Sequence, residues 1–273
     1  MILVKNLKLR KAIFKSLKTQ YIWVVHQSQS QDFSQRKKVN NGYIDIKFLN
    51  QKPSILIDMD MTLNNINTEW TRLYNETYND NVNPQNITDW YIQDFFTKCT
   101  TEQTFQLLET PELFSKMVKP SPNSIKVTEI LSKFYELYIV TACTHECVIS
   151  QKFEFTEKYF PHIYKTNVII CHNKHLIRGD YMIDDYIENL KAFTGGGKLL
   201  INCPHNLNVE TPENIQRVDS WNDILYYFAY HNKELMDYLD IDILNNCGEC
   251  YEQFDIRNML GMKQMLNMKF NIQ

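Results

Sequence analysis

The stretch Ile55–Asn65, ILIDMDMTLNN, decides how the rest of the chain is read. Three apolar residues run into Asp58, and Asp60 follows two positions later. A short apolar run of this kind fits a buried strand, whose side chains alternate between faces. Positions 58 and 60 then share a side. Two carboxylates placed that close repel, unless a cation or a catalytic task justifies them.

The same pattern of an apolar run ending in polar residues recurs downstream. ELYIVTAC (136–143), NVIICHN (167–173), DYMIDD (180–185) and KLLINCP (198–204) read as strands. IKVTEILSKFY (125–135), SQKFEFTEKYF (150–160) and DSWNDILYYFAYH (219–231) read as helices between or after them. Strands alternating with helices predict right-handed βαβ units and a Rossmann-like parallel sheet covered by helices on both faces. Ligands of such α/β sheets bind beyond the carboxyl ends of the strands. The polar residues at those ends are Asp58 and Asp60, Thr141, Lys174 shortly after its strand, and Asp184 with Asp185. Side by side, they would bring carboxylates, a hydroxyl and an ammonium to one edge. Oxygen-only donors favour Mg2+ over zinc, and a hydroxyl plus a lysine beside that cation make a phosphate pocket.

DMDMT, the VT of YIVTAC, Lys174 and MIDD stand in the order of the four motifs of the haloacid dehalogenase-like phosphohydrolases. Within that superfamily the chain resembles the 5'(3')-deoxyribonucleotidases and their bacterial and phage relatives, with ITDWYI, TPELF, YIVTACTHE, INCPHN and VDSWNDI as supporting stretches over roughly residues 53–228. The resemblance implies Asp58 as nucleophile and Asp60 as general acid and base, its backbone carbonyl also facing the metal. It implies Thr141 and Lys174 as phosphate-binding groups, with Asp58, Asp60, Asp184 and Asp185 around Mg2+. It leaves open which of Asp184 and Asp185 touches the ion.

A cap inserted after the first motif is implied as well. The aromatic-rich, helically patterned segment 64–119 suits it, with Trp70, Trp90 and Tyr91 as candidates to stack on a nucleobase. Packing inside a small helical cap is the competing reading for each of these rings. The expected organisation is a basic N-terminal extension (1–52), an α/β core (53–63 and 120–230), the mainly helical cap (64–119) and a C-terminal extension (231–273). Met61 departs from the family pattern, since a small or acidic residue is common at that turn and a bulky one could narrow the pocket. Ala142-Cys143 after Thr141 departs as well, because a hydroxyl is frequent there.

Composition sets the outer limits. The chain has 273 residues, 44% hydrophobic and 13% aromatic, which is ample for a core. Its net charge of -3 gives no overall sign of nucleic-acid binding. Residues 1–52 nevertheless carry eleven Lys or Arg against Asp32 and Asp45, leaving about -12 on the remainder. The first 25 residues have loosely helical apolar spacing with interleaved lysines. They read as a helix docked on the body or a contact for a membrane surface, nucleic acid or another partner. Residues 27–42 read as a polar linker and 43–49 as a strand.

Seven cysteines without paired zinc-finger spacing argue against a disulfide framework or a structural zinc site. No apolar run approaches the ~20 residues of a membrane span, and no secretory leader is evident, so cytoplasm is the expected compartment. CGEC (247–250) is one CxxC without a thioredoxin-like context, HNKH (172–175) reads as loop, and GGG (195–197) as a turn. Cys143 and Cys147 near His145 are a weaker nucleophile candidate than Asp58. The expected function is hydrolysis of (deoxy)nucleoside monophosphates, a small-molecule nucleotide substrate, with homodimerisation left open. A phosphatase of the same superfamily with another substrate, or a non-catalytic binding protein that keeps the fold, are the alternatives.

Overall fold

The computed structural model describes residues 23–24, 38–39, 42–43, 52–143 and 145–245. The basic stretch 1–22, most of the strand expected at 43–49, and CGEC at 247–250 lie outside the described residues. The chain divides into two compact units, residues 1–224 and 225–273.

In the first unit the central strand is β4, Ser54–Ile57, flanked by β5 (Glu136–Thr141) and β7 (Tyr181–Asp184). Beyond them lie β6 (Val168–Ile170) on one side, and β8 (Gly197–Ile201) and β9 (Gln216–Val218) on the other. These six strands run parallel in the order β6-β5-β4-β7-β8-β9. Such strands are covered on both faces, which is why they read as near-continuous apolar runs rather than alternating ones. The register sets Ile57 between Ile139 and Ile183, so the strands that carry the polar ends finish almost level.

A short strand β1, Trp23–Val24, pairs antiparallel with β6, although the stretch that holds it reads as helical. Part of the expected linker also pairs: β2 (Lys38–Val39) meets β3 (Gly42–Tyr43) in a hairpin. Among the described residues no helix is long and apolar enough to cross a membrane.

The connections are the expected helices: α3 (Ser124–Ser132) before β5, α4 (Glu146–Tyr159) between β5 and β6, and α5 (Ile187–Ala192) between β7 and β8. Leu56, Val140, Met182 and Leu200 from four neighbouring strands pack with Ile187, Leu190 and Phe193 of the α5 region into one buried cluster. Burying such side chains contributes roughly 1.5–3 kcal/mol each. The glycine run ends in Gly197, the first residue of β8, where a Cβ would lie 2.0 Å from the Tyr181 ring. Close packing, and not phosphate binding, requires that glycine.

Between β4 and α3 the chain makes an excursion. It leaves at Asn64, which forms an antiparallel bridge with Pro120, and the Ser121 amide donates to the Leu63 carbonyl at 2.8 Å. Between these posts lie α1 (Ile66–Tyr78) and α2 (Thr101–Gln106), joined and followed by short helical turns. Thr100 and Gln103 form a capping box at the start of α2. Trp70, Tyr74, Ile87, Ile92 and Phe96 form a separate core inside the excursion, with Tyr74 and Phe96 stacked at 4.1 Å. Helices α6 (Trp221–His231) and α7 (Lys233–Asn245) follow the sheet.

Candidate active site

β4 stops at Ile57, so Asp58 and Asp60 lie beyond the strand in a tight turn. Met61 has φ 61 and ψ -3, the left-handed region, while Asp60 is extended. This bend, and not strand alternation, aims both carboxylates into the same cavity. It also explains why a small residue is common at position 61: a side chain there costs about 1–2 kcal/mol.

Each carboxylate has its own buried ammonium. Lys174, in the turn after β6, donates to Asp58 Oδ1 at 2.5 Å and to Asp184 Oδ2 at 2.7 Å. Lys152, on α4, donates to Asp60 Oδ2 at 2.5 Å, Thr141 Oγ1 at 2.8 Å and the Ala142 carbonyl at 3.1 Å. Lys152 is only 2% exposed. Sequence reading missed it because it sits mid-helix in SQKFEFTEKYF, where a lysine ordinarily faces solvent. Its one local signal is its place among Val148, Gln151, Phe155 and Thr156, the other buried positions of α4.

Asp184 is saturated. Its Oδ1 accepts from the Tyr186 amide at 2.9 Å and from Asn189 Nδ2 at 3.1 Å, and its Oδ2 accepts from Lys174 and again from Asn189. Asp185 differs: its Oδ1 is buried without a hydrogen-bond partner, while Oδ2 lies 3.1 Å from His205 Nε2. A buried carboxylate oxygen with no donor is costly unless something else satisfies it.

Burial raises the Asp58 pKa well above the ordinary carboxylate range; Lys174 counters this, while Asp184, Asp185 and Asp60 add to it. Burial raises Asp184 too, again opposed by Lys174. For Lys174, burial works against the charge, but Asp184 and Asp58 outweigh it and its pKa is raised. A cluster so short of positive charge is built for a further cation. Asp58, Asp184 and Asp185 each offer a carboxylate oxygen, all within 4.8 Å of one another. The donors are all oxygen and one is unsatisfied, which fits a hard divalent ion such as Mg2+.

The carboxylates stand at the foot of a cavity of about 1000 Å³, which Lys174, Lys152 and Asp185 also line. Trp70, Trp90 and Tyr91 line it from the excursion. Trp70 is mostly committed to that segment's core, edge-on to Phe96 and with its indole N–H donating to the Thr104 carbonyl at 2.8 Å. Trp90 and Tyr91 are 45% and 57% exposed, and Trp90 stacks on Tyr186 at 3.9 Å. Thr141 is fully buried against Lys152. His172 reaches the cavity wall, and Lys174 lies inside HNKH rather than on an exposed loop. Burial pushes the Cys143 thiol up, the reverse of what a cysteine nucleophile needs.

Residues 52–232, two thirds of the chain, match the model of the family "5' nucleotidase, deoxy (Pyrimidine), cytosolic type C protein". The chain belongs to that nucleotidase family. The 5'(3')-deoxyribonucleotidase of Clostridium acetobutylicum is 36% identical over 156 residues, 57% of this chain and 84% of its own. The enzyme of the same name from Bacillus subtilis strain 168 is 36% identical over 175 residues, 63% of this chain and 96% of its own. A solved haloacid dehalogenase-like hydrolase of Streptococcus pneumoniae aligns with 65% of this chain and 98% of its own, at TM-score 0.45 and 16% identity. By family the chain is a nucleotidase, a phosphate-ester hydrolase.

Proposed function

We propose that this nucleotidase is a Mg2+-dependent 5'-nucleotidase that hydrolyses (deoxy)nucleoside monophosphates through a phosphorylated Asp58. One observation carries the reading: Asp58 and Asp60, each held by its own buried lysine, face a single cavity walled by exposed aromatic rings.

The Asp58 carboxylate attacks phosphorus, and the bond to the 5' oxygen breaks. Lys174 neutralises charge on the phosphoryl oxygens. Thr141 Oγ1 accepts its hydrogen bond from Lys152, which leaves its own proton for a phosphate oxygen. Asp60 gives its proton to the departing 5' oxygen. It then takes one from the water that attacks the aspartyl-phosphate, releasing inorganic phosphate and restoring Asp58. Lys152 holds the Asp60 carboxylate in place for both transfers. Asp58, Asp185 and the Asp60 backbone carbonyl would hold Mg2+, which supplies positive charge against the phosphoryl group. Asp184 would act beside them by positioning Lys174, since both its oxygens already accept hydrogen bonds.

Trp90 and Tyr91 are the rings best exposed for a nucleobase, and stacking tolerates any base. The residues 64–119 would form the cap that brings them over the phosphate site.

The test is phosphate release from deoxynucleoside, ribonucleoside and sugar monophosphates with Mg2+. Nucleotides are expected to be the best substrates, and Asp58→Asn is expected to be folded and inactive. Activity that survives Asp58→Asn would sink the mechanism. Preference for a sugar phosphate would move the substrate to another small phosphorylated metabolite.

A further inference from the structure

Beside the all-oxygen cluster lies a second group of different chemistry. Asp185, Cys203 and His205 each offer a ligand atom within 4.8 Å of the others, and all three residues are buried. Asp185 follows β7, and Cys203 and His205 follow the neighbouring strand β8, so adjacent strand ends deliver them. We propose that these three residues form a binding site for Zn2+ that shares Asp185 with the Mg2+ site.

The donor set decides the metal. A sulfur and an imidazole nitrogen beside one carboxylate match zinc's usual ligands, whereas Mg2+ takes oxygen. Three protein ligands and one open position are a common zinc arrangement, and Asp185 and His205 both line the cavity from which a water could complete it. Asp185 can serve both ions because its two oxygens are in different settings: Oδ1 has no hydrogen-bond partner, and Oδ2 lies 3.1 Å from His205 Nε2.

The scaffold is braced before any ion arrives. Asn206 Nδ2 donates to the Asp185 carbonyl at 2.7 Å and the Ile201 carbonyl at 2.9 Å, tying the loop after β8 to the end of β7. The Arg217 guanidinium donates to Asn202 Oδ1 at 2.6 Å, the Asn206 carbonyl at 2.8 Å and the Val209 carbonyl at 2.6 Å. Such supports fix ligand orientation and raise affinity. Without zinc, Cys203 is a thiol donating to the Met61 carbonyl at 3.4 Å. Zinc displaces that proton to solvent and takes the thiolate; ligation through His205 Nε2 also releases the proton that this nitrogen holds against Asp185 Oδ2 and the Asp185 carbonyl, at 3.1 and 3.3 Å.

Two dications around one carboxylate compete for it. Zinc at this site therefore weakens Mg2+ binding and Mg2+ weakens zinc binding by the same factor. On the hydrolase reading above, the consequence is inhibition by zinc that excess Mg2+ relieves.

The experiment uses the full chain carrying Cys247→Ser and Cys250→Ser, which removes the CxxC pair from the background. Co2+ added in Mg2+ is expected to raise a thiolate-to-cobalt charge-transfer band at one equivalent, and Zn2+ to bleach it. Cys203→Ser is expected to remove the band and to weaken Zn2+ binding by at least about tenfold. Its phosphate release in Mg2+ alone stays near the parent's, and its circular dichroism reports folding. If that variant does not fold, His205→Asn replaces it and must show the same weakening. A parent spectrum without a thiolate band overturns the site, and so does equal zinc inhibition of the parent and the folded variant. A thiolate band in a protein that releases phosphate from no nucleotide leaves the zinc site standing and removes the hydrolase reading instead.

Discussion

Met61 is the residue where local preference and fold disagree. Its φ of 61 is forced by the turn that aims Asp58 and Asp60 into the cavity. Strain of this kind collects at functional sites, held in place by the surrounding structure. Met61→Gly and Met61→Ala both delete the side chain, but only glycine relieves the backbone. The left-handed conformation costs a side-chain-bearing residue about 1–2 kcal/mol, against about 0.5–1 kcal/mol of extra chain entropy for glycine. Denaturant midpoints should therefore rank the glycine variant above the alanine variant by about 0.5–1 kcal/mol. The reverse order would mean that the turn relaxes without cost.

His162 supplies a pH signature away from the site. Burial lowers its pKa below the ordinary 6.5, and its Nε2 lies 2.9 Å from Thr128 Oγ1. The unfolded chain takes up its proton first, at about pH 6.5, so stability falls as pH drops from there toward the lower folded value. His162→Gln should flatten the urea-denaturation profile across that window. An unchanged slope would assign the pH dependence to other groups.

Among the elements, α4 does more than cover the sheet. It carries Lys152 to the end of β5, where one ammonium organises Asp60, Thr141 and the Ala142 carbonyl. Lys152→Met keeps the stem and removes the charge. Three acceptors then lose their donor, at a cost of about 1–3 kcal/mol. Placement of Asp60 suffers more, and general acid-base catalysis contributes typically 10²–10⁴-fold. We expect kcat for phosphate release to fall by on the order of 10², with KM changed much less. A variant with near-normal kcat would show that Lys152 serves packing alone. The excursion between β4 and α3 follows a similar logic, because its two ends are pinned together by the Asn64–Pro120 bridge while its own aromatic core holds it in shape.

For the molecule as a whole, the concentration of buried acids sets the response to Mg2+. An ion that binds only the folded state adds stability of about 2.7 kcal/mol at one hundred times its Kd. For a unit of 150–250 residues that corresponds to a rise in Tm of roughly 5–10 °C. Asp185→Asn should abolish most of the rise, since Asp185 Oδ1 is the unsatisfied oxygen. An equal rise in that variant would place the ion elsewhere. The parallel sheet and four of the strand ends could be read from the sequence, because a buried parallel strand leaves an apolar run and the four motifs keep their order. Lys152 could not be read in this way. It meets Asp60 across 92 residues, and its place among the buried positions of α4 tells only that it turns inward, not which carboxylate it meets. Trp70 and Trp90 look equivalent in sequence, yet one is a core residue and the other stacks on Tyr186 at the cavity.

The sequence determined the α/β class, the order of the chemical groups and the identities of the two aspartates at the first strand end, because these depend on local pattern and spacing. Tertiary structure alone decided which cation faces which carboxylate. It bent the chain at Met61, turned Lys152 inward, saturated Asp184 while leaving Asp185 open, and set Cys203 and His205 beside it. Those outcomes depend on strand order and burial, where desolvation makes every charge require a partner, and partners brought together from distant positions leave no local trace.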